Sequence, residues 1–257
     1  MKDQVVLLGT GDALGVPRVY CDCGVCQEAR GGGLNRRTRS SALVRGPAGT
    51  FLIDCGPDWR LQMEAVGLRH VEEILITHGH QDHIGGIPDL ADSVRWTGLP
   101  VRVTGPERAL EEVRSRFPWA ARGLTWRALA GPLTVGGWAV NAWEVSHGRN
   151  GRSWAYRFER PGFAWAYCPD SIDLTPEERA PLHGLDLLIL GTAYYDEPAP
   201  RSRRSLYSMV EAVALLEEVR PVRAVFTHLS HGVDLKAAYP LPPNVLVARD
   251  GMAVELG

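Results

Sequence analysis

The run Ile-Thr-His-Gly-His-Gln-Asp-His-Ile-Gly-Gly, residues 76–86, constrains this chain more than any other feature. It places His78, His80, Asp82 and His83, four metal-capable side chains, within six residues. The apolar stretch Ile74 to Ile76 delivers them, so the cluster is expected in a loop at the end of a buried strand. Loops held by rigid elements are where sites are built. Neutral imidazoles beside a carboxylate suit zinc, manganese or iron. Two such metals sharing a water make hydroxide at neutral pH. Packing alone does not account for this composition, because buried histidines need a partner.

The 257 residues are 45% hydrophobic and 23% charged, an ordinary globular composition with length for a large core. We read residues 1–257 as one domain. A formal charge of −2 leaves no global nucleic-acid footprint, so a long nucleic acid is not an expected partner. Lysine occurs only at Lys2 and Lys236, so nearly all basic residues are arginine. The first apolar stretch, Val5 to Leu8, is too short for a secretory signal, and no run approaches the roughly 18 apolar residues of a membrane span. A cytoplasmic location without membrane partners is the expectation, and a homodimer is compatible with it. Five cysteines, three of them crowded at Cys21, Cys23 and Cys26, do not make a disulfide framework; a metal site fits better.

Strands are expected at Val5–Leu8, Ser41–Val44, Thr50–Ile53, Ile74–Ile76 and Val101–Thr104, then at Leu133–Val135, Ala139–Val145, Ser153–Phe158, Phe163–Tyr167, Leu185–Leu190 and Val222–Phe226. Helices are expected at Trp59–Val66, Ile87–Val94, Ala109–Arg116 and Tyr207–Val219. One motif recurs: an apolar strand followed by a metal-capable residue, at His78, His147, Asp170 and His228. Two similar strand-rich halves with intervening helices suggest two sheets packed face to face, helices outside. The stretch Asp196 to Arg204 is the most loop-like and reads as a mobile lid.

With its His-x-His-x-Asp-His run after a strand, followed by a later His, Asp and His, the chain resembles the metallo-β-lactamase superfamily. The resemblance spans Gly9-Thr10-Gly11 to His228. It implies an α/β fold, the four-layer αββα sandwich, with metals at one edge of the sheets. It implies one divalent metal on His78, His80 and His147 and another on Asp82, His83 and His228, with Asp170 bridging them. Zinc or manganese is expected there, with iron as a further candidate. Asp54, in Ile53-Asp54-Cys55-Gly56, matches the family's carboxylate that orients a metal-bound histidine.

Within the superfamily, Gly9-Thr10-Gly11-Asp12-Ala13-Leu14-Gly15-Val16-Pro17, then Cys21-x-Cys23-x-x-Cys26, then Arg36-Arg37-x-x-Ser40-Ser41, looks like the cyclic-phosphate phosphodiesterase of phosphonate breakdown. That resemblance implies a structural zinc on Cys21, Cys23, Cys26 and His231, the cysteines lying in a loop at about residues 18–30. Three thiolates and one imidazole would fill a closed tetrahedral site with no position for substrate. The same cysteines resemble a superfamily member from pyrroloquinoline quinone biosynthesis. The early Gly-Thr-Gly resembles the tRNA 3′-processing nucleases, but their substrate-gripping insertion and His-x-Thr segment are not found here. Cys55 and Cys168 follow apolar strands and read as small buried residues.

The implied reaction is hydrolysis of a small phosphodiester, a cyclic phosphate or nucleotide, by a hydroxide shared between two metals, with Asp82 and Asp170 in catalytic roles. Arg36 and Arg37 are candidates for binding phosphate, although a charged run is more often a solvated surface. The chain departs from the family in one loop. Where the cyclic-phosphate enzymes carry a leaving-group histidine, Ala199-Pro200-Arg201-Ser202-Arg203-Arg204 carries Arg203. Arginine cannot donate a proton near neutral pH but can stabilise a developing oxyanion. Two alternatives stand beside this reading: an iron-dependent oxidative or cofactor-biosynthesis member of the superfamily, and a non-catalytic metal- or cofactor-binding protein.

Overall fold

The computed structural model describes residues 2–257, in which strands and helices form four layers. Fourteen strands among these residues make two mixed sheets of seven. In the first sheet, β1 (Gln4–Gly9), β2 (Ser41–Gly46) and β3 (Gly49–Ile53) form an antiparallel meander. Parallel strands β4 (Glu73–Leu75), β5 (Arg102–Gly105) and β6 (Thr125–Ala128) extend it. The second sheet repeats the plan. Its meander is β7 (Leu133–Val135), β8 (Trp138–Ser146), β9 (Arg152–Arg160) and β10 (Phe163–Cys168). Parallel strands β11 (Leu187–Gly191), β12 (Arg223–Thr227) and β13 (Val245–Val247) follow, and β14 (Met252–Glu255) returns to pair with β1.

The strands that read as unbroken apolar runs are covered on both faces. In β1, Val5 and Leu7 point between the sheets while Val6 and Leu8 point at the helices. Phe51 and Ile53 meet Trp138, Tyr156, Phe158 and Trp165 in the central layer, where the Phe158 and Trp165 rings stack at 4.1 Å. Outside the first sheet lie α2 (Trp59–Ala65), α4 (Ile87–Thr97) and α5 (Glu107–Arg116); outside the second lie α6 (Pro176–Arg179) and α7 (Met209–Val219). Two short helices, α1 (Gly24–Arg30) and α3 (Gln81–Ile84), belong to the cysteine and histidine loops. Among the described residues, no helix is long and apolar enough to cross a membrane.

Three strands escape the sequence reading, β6, β13 and β14. They are short and lie at the outer ends of the two sheets, where a strong apolar run is not required. The α7 helix begins at Met209 rather than Tyr207, because Ser208 and Glu211 form a capping box. Asp196–Arg204 is not a free lid. Arg201 pairs with Asp173 and Glu211, and Arg204 pairs with Glu211 at 2.8 Å. Arg204 also donates to the carbonyl of Ala199 at 2.6 Å. Glu211 therefore fixes the loop and caps α7 at once.

Candidate metal centre

The C-terminal ends of β3, β4, β8, β10 and β12 open onto one edge of the sandwich, and each delivers a site residue: Asp54, His78, His147, Asp170 and His228. Parallel strands with ligands beyond their carboxyl ends are the general arrangement of α/β sites. Asp54 and His228 have φ of 64° and 60°. Such left-handed conformations turn the chain sharply off its strand, and the surroundings must hold them. For His228, the backbone N–H of Leu229 donates to Thr10 at 2.7 Å, and that of Asp12 donates to Leu229 at 3.2 Å. This is the use of Gly9-Thr10-Gly11. A side chain at Gly9 or Gly11 would collide with the carbonyls of Arg39 and Thr38.

Two triads face each other across Asp170. His78, His80 and His147 present one ligand atom each within 4.8 Å of one another, and so do Asp82, His83 and His228. His78 Nε2 lies 2.9 Å from His80 Nδ1. Asp82 Oδ2 lies 3.2 Å from His83 Nε2 and 3.4 Å from His228 Nε2. Asp170 reaches both groups: Oδ1 is 3.4 Å from His147 Nε2 and 3.4 Å from His228 Nε2, and Oδ2 is 3.0 Å from His83 Nε2. The rings are oriented from behind. His147 Nδ1 donates to the carbonyl of Ser205 at 2.7 Å, and His83 Nδ1 donates to Asp54 at 2.6 Å. Thr77 donates its backbone N–H to Asp54 at 2.8 Å, and its hydroxyl lies 3.0 Å from His78 Nδ1.

The donor set fits two divalent cations. His83 Nε2, Asp170 Oδ2 and both ring nitrogens of His228 are buried without an aligned hydrogen-bond partner among the described residues. Buried polar atoms left this way are costly, and a cation between them removes the cost. Burial pushes His78, His80 and His147 below the ordinary imidazole pKa, leaving lone pairs free to ligate. Burial also opposes charge on Asp82 and Asp170, but the neighbouring histidines outweigh it and hold both carboxyls below the usual range. Burial lowers His83 and His228 in turn, and Asp82 and Asp170 outweigh it, so both rings are raised.

A second cluster lies beside the first. His231 Nδ1 is 3.2 Å from Cys21 Sγ, 3.6 Å from Cys23 Sγ and 3.5 Å from Cys26 Sγ. Tetrahedral zinc, with bonds of about 2.3 Å to sulfur and about 2.0 Å to nitrogen, would set sulfur and nitrogen roughly 3.5 Å apart. All three cysteines are free thiols, as are the buried Cys55 and Cys168.

Above the histidine cluster lies a cleft of about 270 Å³. Arg203 lines it, with Asp12 of the early glycine motif and Glu197 and Arg204 of the 196–204 loop, and so do Arg18, Asn150 and Tyr194, which no motif in the sequence marked. Arg36 and Arg37 do not line it. Arg37 is buried, with its guanidinium donating to the carbonyls of Ser230 at 3.0 Å and Val233 at 2.9 Å. It braces the chain at residues 230–233, around His231. Arg36 is exposed on the groove between β1 and α2. Arg39 pairs with Asp58 at 3.0 Å.

Comparison with known proteins agrees with this geometry. The chain is 30% identical over 263 residues to an octanoyltransferase from Porphyromonas gingivalis, covering 97% of this chain and 51% of that protein. It thus spans about half the length of that relative. It is 28% identical over 271 residues to coenzyme PQQ synthesis protein B from a Methylobacterium species, covering 89% of each. Among solved structures, a diphosphatase of the PhnP family superposes with a TM-score of 0.86 at 28% identity, covering 100% of this chain and 98% of that one. Residues 50–229 match the beta-lactamase superfamily domain, and the chain belongs to the metallo-β-lactamase superfamily.

Proposed function

We propose that the protein is a metal-dependent hydrolase of small phosphodiesters. One observation carries this reading: seven ligand side chains, three of them with unpartnered buried atoms, converge beneath a cleft in which Arg203 stands free. Two divalent cations there would supply a nucleophilic water at neutral pH and neutralise phosphoryl charge. His78, His80 and His147 would hold one, Asp82, His83 and His228 the other, and Asp170 would touch both.

With cations in place, the cleft would favour an anionic substrate. Four carboxylates (Asp12, Asp82, Asp170, Glu197) face three guanidiniums (Arg18, Arg203, Arg204) in the cleft. Two dications reverse that balance to positive. Among the described residues, the Arg203 side chain makes no hydrogen bond or ion pair, because Glu211 and neighbouring carbonyls engage Arg201 and Arg204 instead. Its planar fork suits a phosphoryl oxygen and cannot deliver a proton, so it stabilises charge on the substrate or leaving group. The resemblance to a diphosphatase of the PhnP family supports this reading.

The half-length match to an octanoyltransferase supports a competing reading, an acyl ester or thioester substrate. Leu14, Tyr194 and Leu206 give the cleft apolar surface that such a substrate could use, while the arginines beside them favour the phosphate reading. Replacing Asp170 by Ala removes the carboxylate common to both triads. Metal content and phosphodiester cleavage should fall together, and full activity in that variant would contradict the proposal.

A further inference from the structure

The first triad is assembled from both halves of the fold: His78 and His80 from the loop after β4, His147 from the end of β8. Asp54 holds the His83 ring of the second triad and the Thr77 N–H at the entry to the loop. The peptide between the two loop histidines has a different anchor. Gly79 is buried there, and its N–H donates to a side chain, Glu112 Oε2 on α5, at 3.1 Å. A Cβ at Gly79 would collide with the Glu112 side chain, so glycine is what lets the carboxylate close on the backbone. The helix is a firm base for it, since Ala109, Leu110 and Val113 are buried in the core beneath.

The same carboxylate leads to the other half of the molecule. Arg108, one turn earlier on α5, stands 3.8 Å from Glu112 Oε1 and donates to Glu144 Oε1 at 3.4 Å. Glu144 lies near the end of β8, the strand that runs into His147, and Arg152 at the start of β9 pairs with it at 3.5 Å. An ion-pair chain therefore joins the loop of His78 and His80 to the hairpin of His147. A charged acceptor on a buried N–H is a strong contact, whereas exposed pairs such as Arg108–Glu144 count only as members of a network.

We propose that Glu112 is a positioning residue of the metal centre. By holding the Gly79 amide it sets His78 against His80, and through Arg108 it ties both to the strand of His147. It acts on the first triad and leaves the second to Asp54. This rests on the two-cation reading above and not on the choice of substrate.

Cobalt(II) titration of the metal-stripped protein, followed by absorption, tests one triad at a time. Thiolate-bound cobalt at the cysteine cluster is separated by its charge-transfer band. In a His228→Ala background the first triad is the intact one, and in a His80→Ala background the second is. Glu112→Ala should lower cobalt affinity about 10-fold in the first background, the lower end for a charge-assisted bond, and by less than about twofold in the second. Glu112→Gln keeps a carbonyl acceptor and should recover most of the loss. Arg108→Ala, an exposed change that spares the core, should lower affinity about two- to threefold in the first background, an effect that fades in high salt. Equal losses in both backgrounds would make Glu112 a general packing contact, and no loss in the first would remove it from the centre; either result overturns the proposal. Absence of histidine-bound cobalt in the parent protein would defeat the two-cation reading and this inference with it. Normal uptake that Glu112→Ala leaves unchanged would defeat this inference alone.

Discussion

Asp54 accepts the Nδ1–H of His83 at 2.6 Å, and both side chains are wholly buried. Asp54 also collects the backbone N–H and the hydroxyl of Thr77, the residue before His78. One carboxylate therefore sets a ring in the second triad and the backbone that launches the first. Asp54→Ala should weaken metal binding by roughly 10- to 100-fold, the usual effect of losing a partner behind a metal ligand. Chelator competition measures it, and unchanged affinity would refute the orienting role.

Metal affinity should rise with pH across the neutral range. Without metal, protons on His83 and His228 balance Asp82 and Asp170, which is why both rings titrate above the ordinary imidazole value. Cations must displace those protons. The raised rings stabilise the metal-free fold below the unfolded imidazole pKa, and that contribution is lost as pH rises through their folded values. Asp82 and Asp170, held low, contribute above the unfolded carboxyl range and lose it as pH falls. The metal-free protein should therefore lose thermal stability on the alkaline side, and added zinc or manganese should restore it. Metal affinity independent of pH between 6 and 8 would contradict this.

Removal of a cysteine ligand should act on stability before chemistry. Cys26 is buried and His231 lies 205 residues further on, so a zinc there closes a very long loop. With free zinc a thousandfold above its dissociation constant, binding adds about 4 kcal/mol. Cys26→Ala should lose one zinc per chain and lower the melting temperature. A variant with unchanged zinc content would remove the structural site.

Arg203 and Arg201 should separate function from loop anchoring. Arg203→Ala should reduce kcat/KM on a phosphodiester by about 10- to 100-fold while leaving the melting temperature unchanged, since its guanidinium holds nothing else in place. Arg201→Ala breaks the contacts to Asp173 and Glu211 and should loosen residues 196–204, visible as faster amide exchange. Equal effects of the two variants on kcat/KM would argue against a direct role for Arg203.

Much of this was legible in the sequence because strands covered on both faces are unbroken apolar runs. Ile74–Ile76 and Val222–Phe226 announce themselves, and the residues just beyond them, His78 and His228, join the clustered candidate ligands. The arginines were read less well. Arg36, Arg37, Arg39 and Arg203 look alike in the sequence. What separates them is the carbonyls around Arg37, the carboxylate of Asp58 and the pairing of Arg201 and Arg204 with Glu211. Arg18 and Tyr194 carried no signal at all, since their place in the cleft depends on packing of the cysteine loop and Gly232.

The most direct measurement is hydrolysis of bis(p-nitrophenyl) phosphate by protein loaded in turn with zinc, manganese or iron, with a thioester and a β-lactam alongside. Selective phosphodiester cleavage that disappears in His80→Ala is the expected result. Full metal occupancy without phosphodiester cleavage under any of the three metals would contradict it.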